Sequence, residues 1–309
     1  MCKTKSGAPT RKKFTVAKKH ESVYNTAMKV VKQIDCADSG KTIRQLFAEM
    51  KLSGTTIKKF KYDGVIDVNG SVQNVNYVLR QGDVLTLVAN ERALHPEKAQ
   101  MSAKIAYVDD FLYIADKPYN INTHPDRAHK EDTLGNRLST SFGDEFALRI
   151  VTRLDKTTSG LVLGAFDEVT AERLNTMQLC HEIHKTYIAA VQGQTEKQGQ
   201  IDLPLLRVDE QNKTICDESG KSASTAYFAL KYLPSKDVTV VRLCPLTGRT
   251  HQLRAHMAAI GHPIVGDVLY GGMHSDRIYL HCMQLSFVHP VTGKNVDVTS
   301  LPTEELFNL

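Results

Sequence analysis

Short apolar runs dominate the second two thirds of the chain, and their spacing predicts the elements of a mixed fold. Alternating residues at 105–108 and 112–115 flank the polar pair Asp109–Asp110, which is typical of a β-hairpin. Further runs predict strands at 161–166, 186–191, 224–232, 238–244 and 284–288, and helices at 168–181 and 250–260. Strands and helices do not alternate regularly, and no glycine-rich phosphate loop follows a strand. The pattern therefore favours an α+β fold over a doubly wound nucleotide-binding fold.

The first ninety residues carry shorter periodic segments. Between positions 21 and 40, three- and four-residue spacing predicts a helix whose apolar stripe comprises Val23, Ala27, Val30, Val31 and Ile34. Residues 42–50 predict a second helix, and Ser53 is a candidate N-cap for a third that runs from Thr56 to Phe60. Asn69–Gly70 predicts a turn, and 84–88 predicts a strand. Residues 41–90 are therefore expected to form a small α+β module.

This module resembles the S4-type RNA-binding domain. The resemblance lies in its paired helices, in Val68-Asn69-Gly70 and in Arg80-Gln81-Gly82-Asp83-Val84. It implies that basic residues on the helical face contact structured RNA, and the candidates are Lys51, Lys58, Lys59 and Lys61. The alternative is a small α+β unit with an ordinary lysine-rich surface. Residues 91–104, which contain Pro96 and little apolar periodicity, are interpreted as a linker.

Charge and cysteine usage narrow the class of protein. The net charge of +5 is mild, but residues 1–20 carry seven lysines and arginines and no acidic residue. Such an arm either contacts phosphate or is a solvated tail, and the sequence favours neither interpretation over the other. The six cysteines are scattered without a C-x-x-C pair, which favours reduced thiols over a disulfide framework or a four-cysteine zinc site. No apolar run reaches the ~20 residues of a membrane helix, and no secretory signal is evident, so a cytoplasmic protein without membrane contact is expected.

One polar loop holds the strongest candidate for chemistry. In Val151-Thr152-Arg153-Leu154-Asp155-Lys156-Thr157-Thr158-Ser159-Gly160, a carboxylate lies between two basic residues just before an apolar run. Loops held by a rigid strand often carry catalytic groups, and nearby cations keep a carboxylate ionised. On the residues alone, a surface turn with a local hydrogen bond explains the segment at least as well.

This loop resembles the signature H-R-L-D-x-x-T-S-G of the RluA-type pseudouridine synthases, although Thr152 stands where histidine is usual. Two further segments match the same family in the expected order. His184-Lys185-Thr186-Tyr187 resembles its K-x-Y motif, and Thr247-Gly248-Arg249-Thr250-His251-Gln252-Leu253-Arg254-Ala255-His256 resembles its G-R-T-H-Q-L-R-x-H block. The resemblance covers about 105–305 and includes Lys117-Pro118-Tyr119-Asn120, in which Asn120 replaces the usual glycine.

The resemblance implies an enzyme that isomerises uridine to pseudouridine in RNA. It implies an α+β synthase fold at 105–309, with a mixed, mostly antiparallel sheet and flanking helices. Asp155, Tyr187 and Arg254 match the family's catalytic positions, and Arg254 is expected to hold Asp155 through a bidentate pair. Substrate contacts are expected from Arg153, Thr158, Arg249, His251, Lys58 and Lys59. No cofactor, no metal and no obligatory protein partner are implied.

Three alternatives remain open from the sequence. The substrate RNA is expected to be ribosomal RNA of the large subunit, with transfer RNA as the second choice. A catalytically silent RNA-binding protein that acts in ribosome assembly is a rival, as is a nucleotide hydrolase, although the chain lacks a G-x-x-x-x-G-K-[ST] loop. Cys180, His181 and His184 suggest a metal site only weakly, because no second cluster of ligands accompanies them.

Overall fold

The computed structural model describes residues 27–50, 57–58, 60–61, 64–90, 95–125 and 131–302. The basic arm at 1–20, Val23, Lys51, Ser53, Thr56 and Lys59 lie outside the described residues. None of the helices within these ranges has the length and apolar composition of a membrane span.

The N-terminal part forms a four-stranded antiparallel sheet with its own core. Its strands are β1 (Ala27–Gln33), β2 (Gly64–Val68), β3 (Ser71–Val72) and β4 (Val84–Asn90), in the order β1-β4-β2-β3, and helix α1 spans Ile43–Glu49. Residues 57–58 and 60–61 are also helical. Thr42 and Gln45 form a reciprocal capping box at the start of α1, which fixes where this helix begins. The N-terminal part is thus an α+β unit, and it begins with β1, before the expected boundary at residue 41.

The helix expected between 21 and 40 is wrong for its described residues, 27–40, which form strand β1 and then a turn. All seven residues of β1 pair with β4, from Ala27 opposite Asn90 to Gln33 opposite Val84. The apolar residues whose spacing predicted a helix include the adjacent β-branched pair Val30 and Val31, which is more typical of a β-strand. Val31 points to solvent while Val30 packs against the core, as the two faces of a strand require. Strand pairing therefore overrides the helical periodicity.

The second part of the chain forms one large mixed sheet. Its strands are β5 (Lys104–Val108), β6 (Leu112–Lys117), β7 (Ser159–Ala165), β8 (His184–Gln192), β9 (Gln198–Ile201), β12 (Thr225–Leu233), β13 (Val238–Pro245), β14 (Leu280–Val288) and β15 (Asn295–Thr299). The order is β5-β6-β7-β14-β8-β13-β12-β9, and β15 pairs with β14. Within this sheet β7 and β14 run parallel and the other paired strands run antiparallel. The predicted α+β class, with a mixed and mostly antiparallel sheet, is confirmed.

A hairpin and three helices surround this sheet. Strands β10 (Leu205–Val208) and β11 (Lys213–Cys216) pair separately, and the helices are α2 (Leu134–Phe142), α3 (Glu168–Leu179) and α4 (Gln252–Ala259). The sequence did not predict α2, because its buried face includes polar residues such as Asn136 and Ser139. The Asn136 side chain donates to the carbonyl of Glu97 at 2.7 Å, so part of the expected linker lies along α2.

The junction between the polar loop and β7 is closely packed. Gly160 has φ +111°, and it faces Cys282 where β7 runs parallel to β14. A Cβ atom at Gly160 would lie 2.2 Å from the carbonyl oxygen of Cys282. Only glycine therefore allows β14 to approach the strand that follows the loop.

We expect Gly160→Ala to lower the free energy of unfolding by about 3 kcal/mol or more, since it adds a backbone clash to an unfavourable positive φ. Gly293→Ala is the matched control, because Gly293 also has positive φ, +69°, but has nothing within 4 Å of its Cβ position. Its expected loss is about 1–2 kcal/mol. Urea denaturation measures both values. Equal losses would show that the contact with Cys282 does not constrain this junction.

Candidate active site

The polar loop before β7 places Asp155 at a cavity of about 410 Å³. Hydrogen bonds hold the backbone of the loop on both sides of this residue. The hydroxyl of Thr123 donates to the carbonyl of Leu154 at 2.7 Å, and the N–H of Thr158 donates to the carbonyl of Asp155 at 3.1 Å. The Asp155 side chain remains 31% exposed, so it is held by the fold and still open to a ligand.

Thr152, which departs from the family signature, has a structural partner. Its side chain is buried, and its hydroxyl oxygen accepts the N–H of Leu163 in β7 at 2.9 Å. A buried backbone donor is thereby satisfied. The threonine thus anchors the loop to the sheet, and the position of Asp155 does not depend on a histidine at 152.

Arg254 connects Asp155 to a second carboxylate. Its Nε and Nη2 donate to the two oxygens of Asp267 at 2.6 and 2.8 Å, while Nη1 lies 3.5 Å from Oδ2 of Asp155. The expected bidentate pair with Asp155 is therefore wrong, because Arg254 forms its bidentate pair with Asp267. The reason is burial, because Asp267 is fully enclosed and needs paired donors, whereas Asp155 is partly solvated.

His251 lies beside the same carboxylate. Helix α4 begins one residue after it, not at Thr250, and His251 itself has the left-handed backbone, φ 53° and ψ 19°. Its Nδ1 lies 3.1 Å from the hydroxyl oxygen of Tyr270, and its Nε2 lies 3.8 Å from Oδ2 of Asp155. The left-handed conformation is costly for a residue with a Cβ, so the packing around the ring must hold it there.

Tyr187 reaches the cavity from β8. Its side chain is buried, and burial raises the pKa of its phenol well above the ordinary value, with the neighbouring Cys282 thiol as the next cause. A phenol in this setting keeps its proton at neutral pH. Its ring therefore offers the cavity an apolar, protonated surface.

Lys117 lies under the polar loop. It is fully buried, and its Nζ donates to the carbonyls of Pro118, Ile121 and Lys156 at 3.1, 2.9 and 3.2 Å. Burial lowers the pKa of this amine to about 7, opposed by the Asp155 carboxylate. The bond to Lys156 fixes the residue next to Asp155, so Lys117 links strand β6 to the loop.

The remaining predicted contacts divide between the cavity and the N-terminal sheet. Arg153 and Arg249 are exposed and line the cavity, and Arg249 donates to the carbonyl of Ser222 at 3.1 Å. Thr158 also lines the cavity but is buried. Lys58 is exposed in the N-terminal part and is not a lining residue. Within the described residues, Cys180, His181 and His184 join no group of three potential metal ligands.

The sequence analysis assigned no role in the site to three of its residues: Asp267, Tyr270 and Lys117. Tyr270 is buried, and a Cβ at Gly272 would lie 2.1 Å from the carbonyl oxygen of Ile264, so this segment is closely packed. The pairing of Arg254 with Asp267, thirteen residues further along, leaves no pattern in the sequence.

Comparisons with known proteins agree on one family. The family model described as RNA pseudouridylate synthase matches residues 111–259. The dual-specificity RNA pseudouridine synthase RluA of Vibrio parahaemolyticus is 38% identical over 198 residues, which cover 60% of this chain and 78% of that protein. The ribosomal large subunit pseudouridine synthase D of Zymomonas mobilis is 34% identical over 227 residues, covering 67% and 71%. The structure of human RNA pseudouridylate synthase domain containing 1 aligns with a TM-score of 0.57 and 27% identity, covering 65% of this chain and 84% of that one.

We expect Asp267→Asn to lower the free energy of unfolding by about 3–5 kcal/mol, because it leaves the buried Arg254 guanidinium without its charged partner. The matched control is Asp209→Asn, since Asp209 pairs with Arg207 on the surface, with 91% of its side chain exposed. That variant should lose no measurable stability. Urea denaturation distinguishes them, and a small loss for both would contradict the buried-pair assignment.

The buried amine of Lys117 should make stability depend on pH. Its pKa is about 7 in the folded chain and 10.5 by ordinary values, so between these limits the unfolded chain binds more protons. The free energy of unfolding of the wild type, relative to Lys117→Met, should therefore increase as pH rises from 7 to 10.5 and stay constant below 7. Denaturation curves at several pH values measure this difference. A difference independent of pH would show that Lys117 is charged in the folded protein throughout.

Proposed function

Because the chain belongs to the RluA-type RNA pseudouridine synthases and is thus an isomerase that acts on uridine in RNA, we propose that its substrate is large-subunit ribosomal RNA. The observation that carries the active-site assignment is the position of Asp155, open to a cavity and 3.5 Å from a buried arginine. Asp155 is proposed as the residue that starts the reaction, by attack on the substrate or by removal of a proton from the ribose 2′ carbon.

The choice of ribosomal RNA rests on two kinds of support. One relative is named for the large ribosomal subunit. The N-terminal sheet, which we interpret as an S4-type RNA-binding domain, exposes Lys58 and Lys61 on its helical segment. A second RNA-binding unit suits a large structured RNA, since RNA is recognised mainly by shape and exposed single-stranded bases. Transfer RNA is the alternative substrate.

Binding requires the target uridine to leave its stack. Enzymes that modify a base must bring it into a pocket, and the cavity beside Asp155 is the pocket proposed here. Arg153 is exposed at the cavity, and its planar guanidinium suits the vacated place in the RNA stack. Arg249, which also lines the cavity, is proposed to contact phosphate.

Arg254 and Tyr187 are proposed to act on either side of the uracil and ribose. Arg254 lies 3.5 Å from Asp155 and is proposed to orient its carboxylate, while Asp267 fixes the guanidinium. The ring of Tyr187 stacks on the base. Tyr187 is also proposed to act as acid or base in the late proton transfer, through a phenol whose pKa burial raises.

The test is a pseudouridine map of total RNA from cells that lack the gene, complemented by the wild type, by Asp155→Asn or by Asp209→Asn. We expect one or more large-subunit ribosomal sites to disappear, and to return with the wild type and with Asp209→Asn but not with Asp155→Asn. Loss of a transfer-RNA site instead would transfer the proposal to that substrate. Full restoration by Asp155→Asn would exclude Asp155 from the chemistry.

A further inference from the structure

A second cavity, of about 340 Å³, shares no lining residue with the catalytic one. It borders the same polar loop, because Ser159 lines it and Lys117, another lining residue, donates to the carbonyl of Lys156 at 3.2 Å. Small-molecule sites have volumes of about 300–1,000 Å³. The second cavity is therefore large enough to hold a ligand of its own, and the reaction assigned above does not use it.

Most of the charged side chains that line the second cavity are cationic. They are Lys104, Lys117, Arg137 and Arg277. Asp116 is the sole carboxylate among the described residues of this lining, and its Oδ2 already accepts from the Lys104 amine and from the Ser300 hydroxyl, each at 2.7 Å. The lining thus carries an excess of positive charge, which favours an anion.

Two of these cations are buried close enough to act on each other. Lys117 is fully enclosed, and Arg277 is 6% exposed. Burial is the largest cause that lowers the pKa of Lys117, the Asp155 carboxylate opposes it, and the Arg277 guanidinium lowers it further. Like charges held together away from water cost free energy. An anion in the cavity would offset that cost for both residues.

The guanidinium of Arg277 is oriented before any ligand arrives. Its central carbon lies 4.9 Å from the ring centroid of Tyr119, and its Nη2 donates to the hydroxyl oxygen of Ser159 at 2.8 Å. His281 completes this network: its Nε2 donates to the carbonyl of Ser300 at 2.9 Å, so its Nδ1 accepts the Ser159 hydroxyl at 2.8 Å. A planar guanidinium fixed in this way suits the oxygens of a phosphate group.

We propose that the second cavity binds a phosphate group and that Arg277 and Lys104 contact it. The cationic lining comes from four places in the fold: the start of β5, the end of β6, helix α2 and the segment before β14. Donors that converge from several directions match the tetrahedral oxygens of phosphate better than a flat carboxylate. The group belongs either to a free phosphate compound or to the RNA backbone. The site is independent of the RNA and of the role proposed for Asp155.

The second cavity is connected to the catalytic loop at two points. Arg277 bonds to Ser159 at the end of the loop, and Lys117 bonds to the carbonyl of Lys156, the residue after Asp155. A phosphate that pairs with these cations fixes both of them, so it should restrain the backbone that carries the catalytic carboxylate. Occupancy of the site should therefore be visible as reduced motion of the loop.

Binding is measured by equilibrium dialysis of the whole chain against [³²P]inorganic phosphate at constant ionic strength. The informative variant is Ser102→Asp, because Ser102 lines the second cavity but is exposed, so the new carboxylate repels phosphate and leaves the buried network intact. We expect its affinity for phosphate to fall about tenfold or more. Ser71→Asp is the matched control, since Ser71 is exposed on β3 and outside both cavity linings, and it should bind phosphate as the wild type does.

The phosphate that Ser102→Asp fails to bind is the phosphate of the second cavity, whatever else binds at the catalytic one. Equal binding by the wild type and Ser102→Asp, or no saturable binding by the wild type, would overturn the proposal. The dialysis is then repeated with an excess of total RNA from cells that lack the gene. Displacement of the Ser102-sensitive phosphate by RNA assigns the site to the RNA backbone, whereas its retention assigns the site to a free phosphate compound.

Hydrogen exchange measured by mass spectrometry locates the bound phosphate independently. We expect inorganic phosphate to slow exchange in the peptides that contain Ser159 and Arg277, in the wild type and in Ser71→Asp but not in Ser102→Asp. This pattern would place the ligand in the second cavity and connect it to the loop. Protection that is uniform along the chain, or that persists in Ser102→Asp, would contradict the proposal.

Discussion

The division of one guanidinium between two carboxylates is the constraint on which the site depends. Arg254 forms a bidentate pair with the buried Asp267 through Nε and Nη2, and its Nη1 lies 3.5 Å from Asp155. A buried arginine without a close carboxylate would be costly, so Asp267 makes the presence of Arg254 possible. Because two of its nitrogens are occupied by Asp267, Arg254 meets Asp155 through one nitrogen and does not enclose it. Asp155 therefore keeps an open face for substrate.

This arrangement explains why the large sheet joins distant parts of the chain. The loop that carries Asp155 leads into β7, Tyr187 lies on β8, and both strands flank β14 in the sheet. Their alignment requires the close approach at Gly160, whose missing Cβ admits the backbone of β14. Bringing these distant segments together lowers the conformational entropy of the chain, and burial of the apolar core that the strands share offsets this loss. The site is thus a consequence of sheet order.

The sequence predicted what is local and missed what is set by tertiary contacts. The hairpin at 105–115, the later strands and the helices α3 and α4 follow from periodicity. Asn120, which replaces the usual glycine, has a left-handed backbone with φ 65°. Asp155, Tyr187 and Arg254 stood out through family motifs, and they line one cavity. The partner of Arg254 could not be foreseen, because carboxylates at 155 and 267 are equally plausible until burial is known. Strand β1 was missed since its pairing with β4 lies outside any local window.

The charged residues that line the cavity favour RNA and also act on a neighbouring titratable side chain. Among the described residues that line the cavity, Asp155 is the sole carboxylate, and the cationic lining residues are Arg153, Lys185, Arg249 and Arg254. Such a surface attracts phosphate groups. The pKa of the His251 imidazole is lowered first by burial, and the guanidinium of Arg254 adds to this effect. Arg254 therefore contributes both to the attraction of RNA and to the electrostatic surroundings of His251.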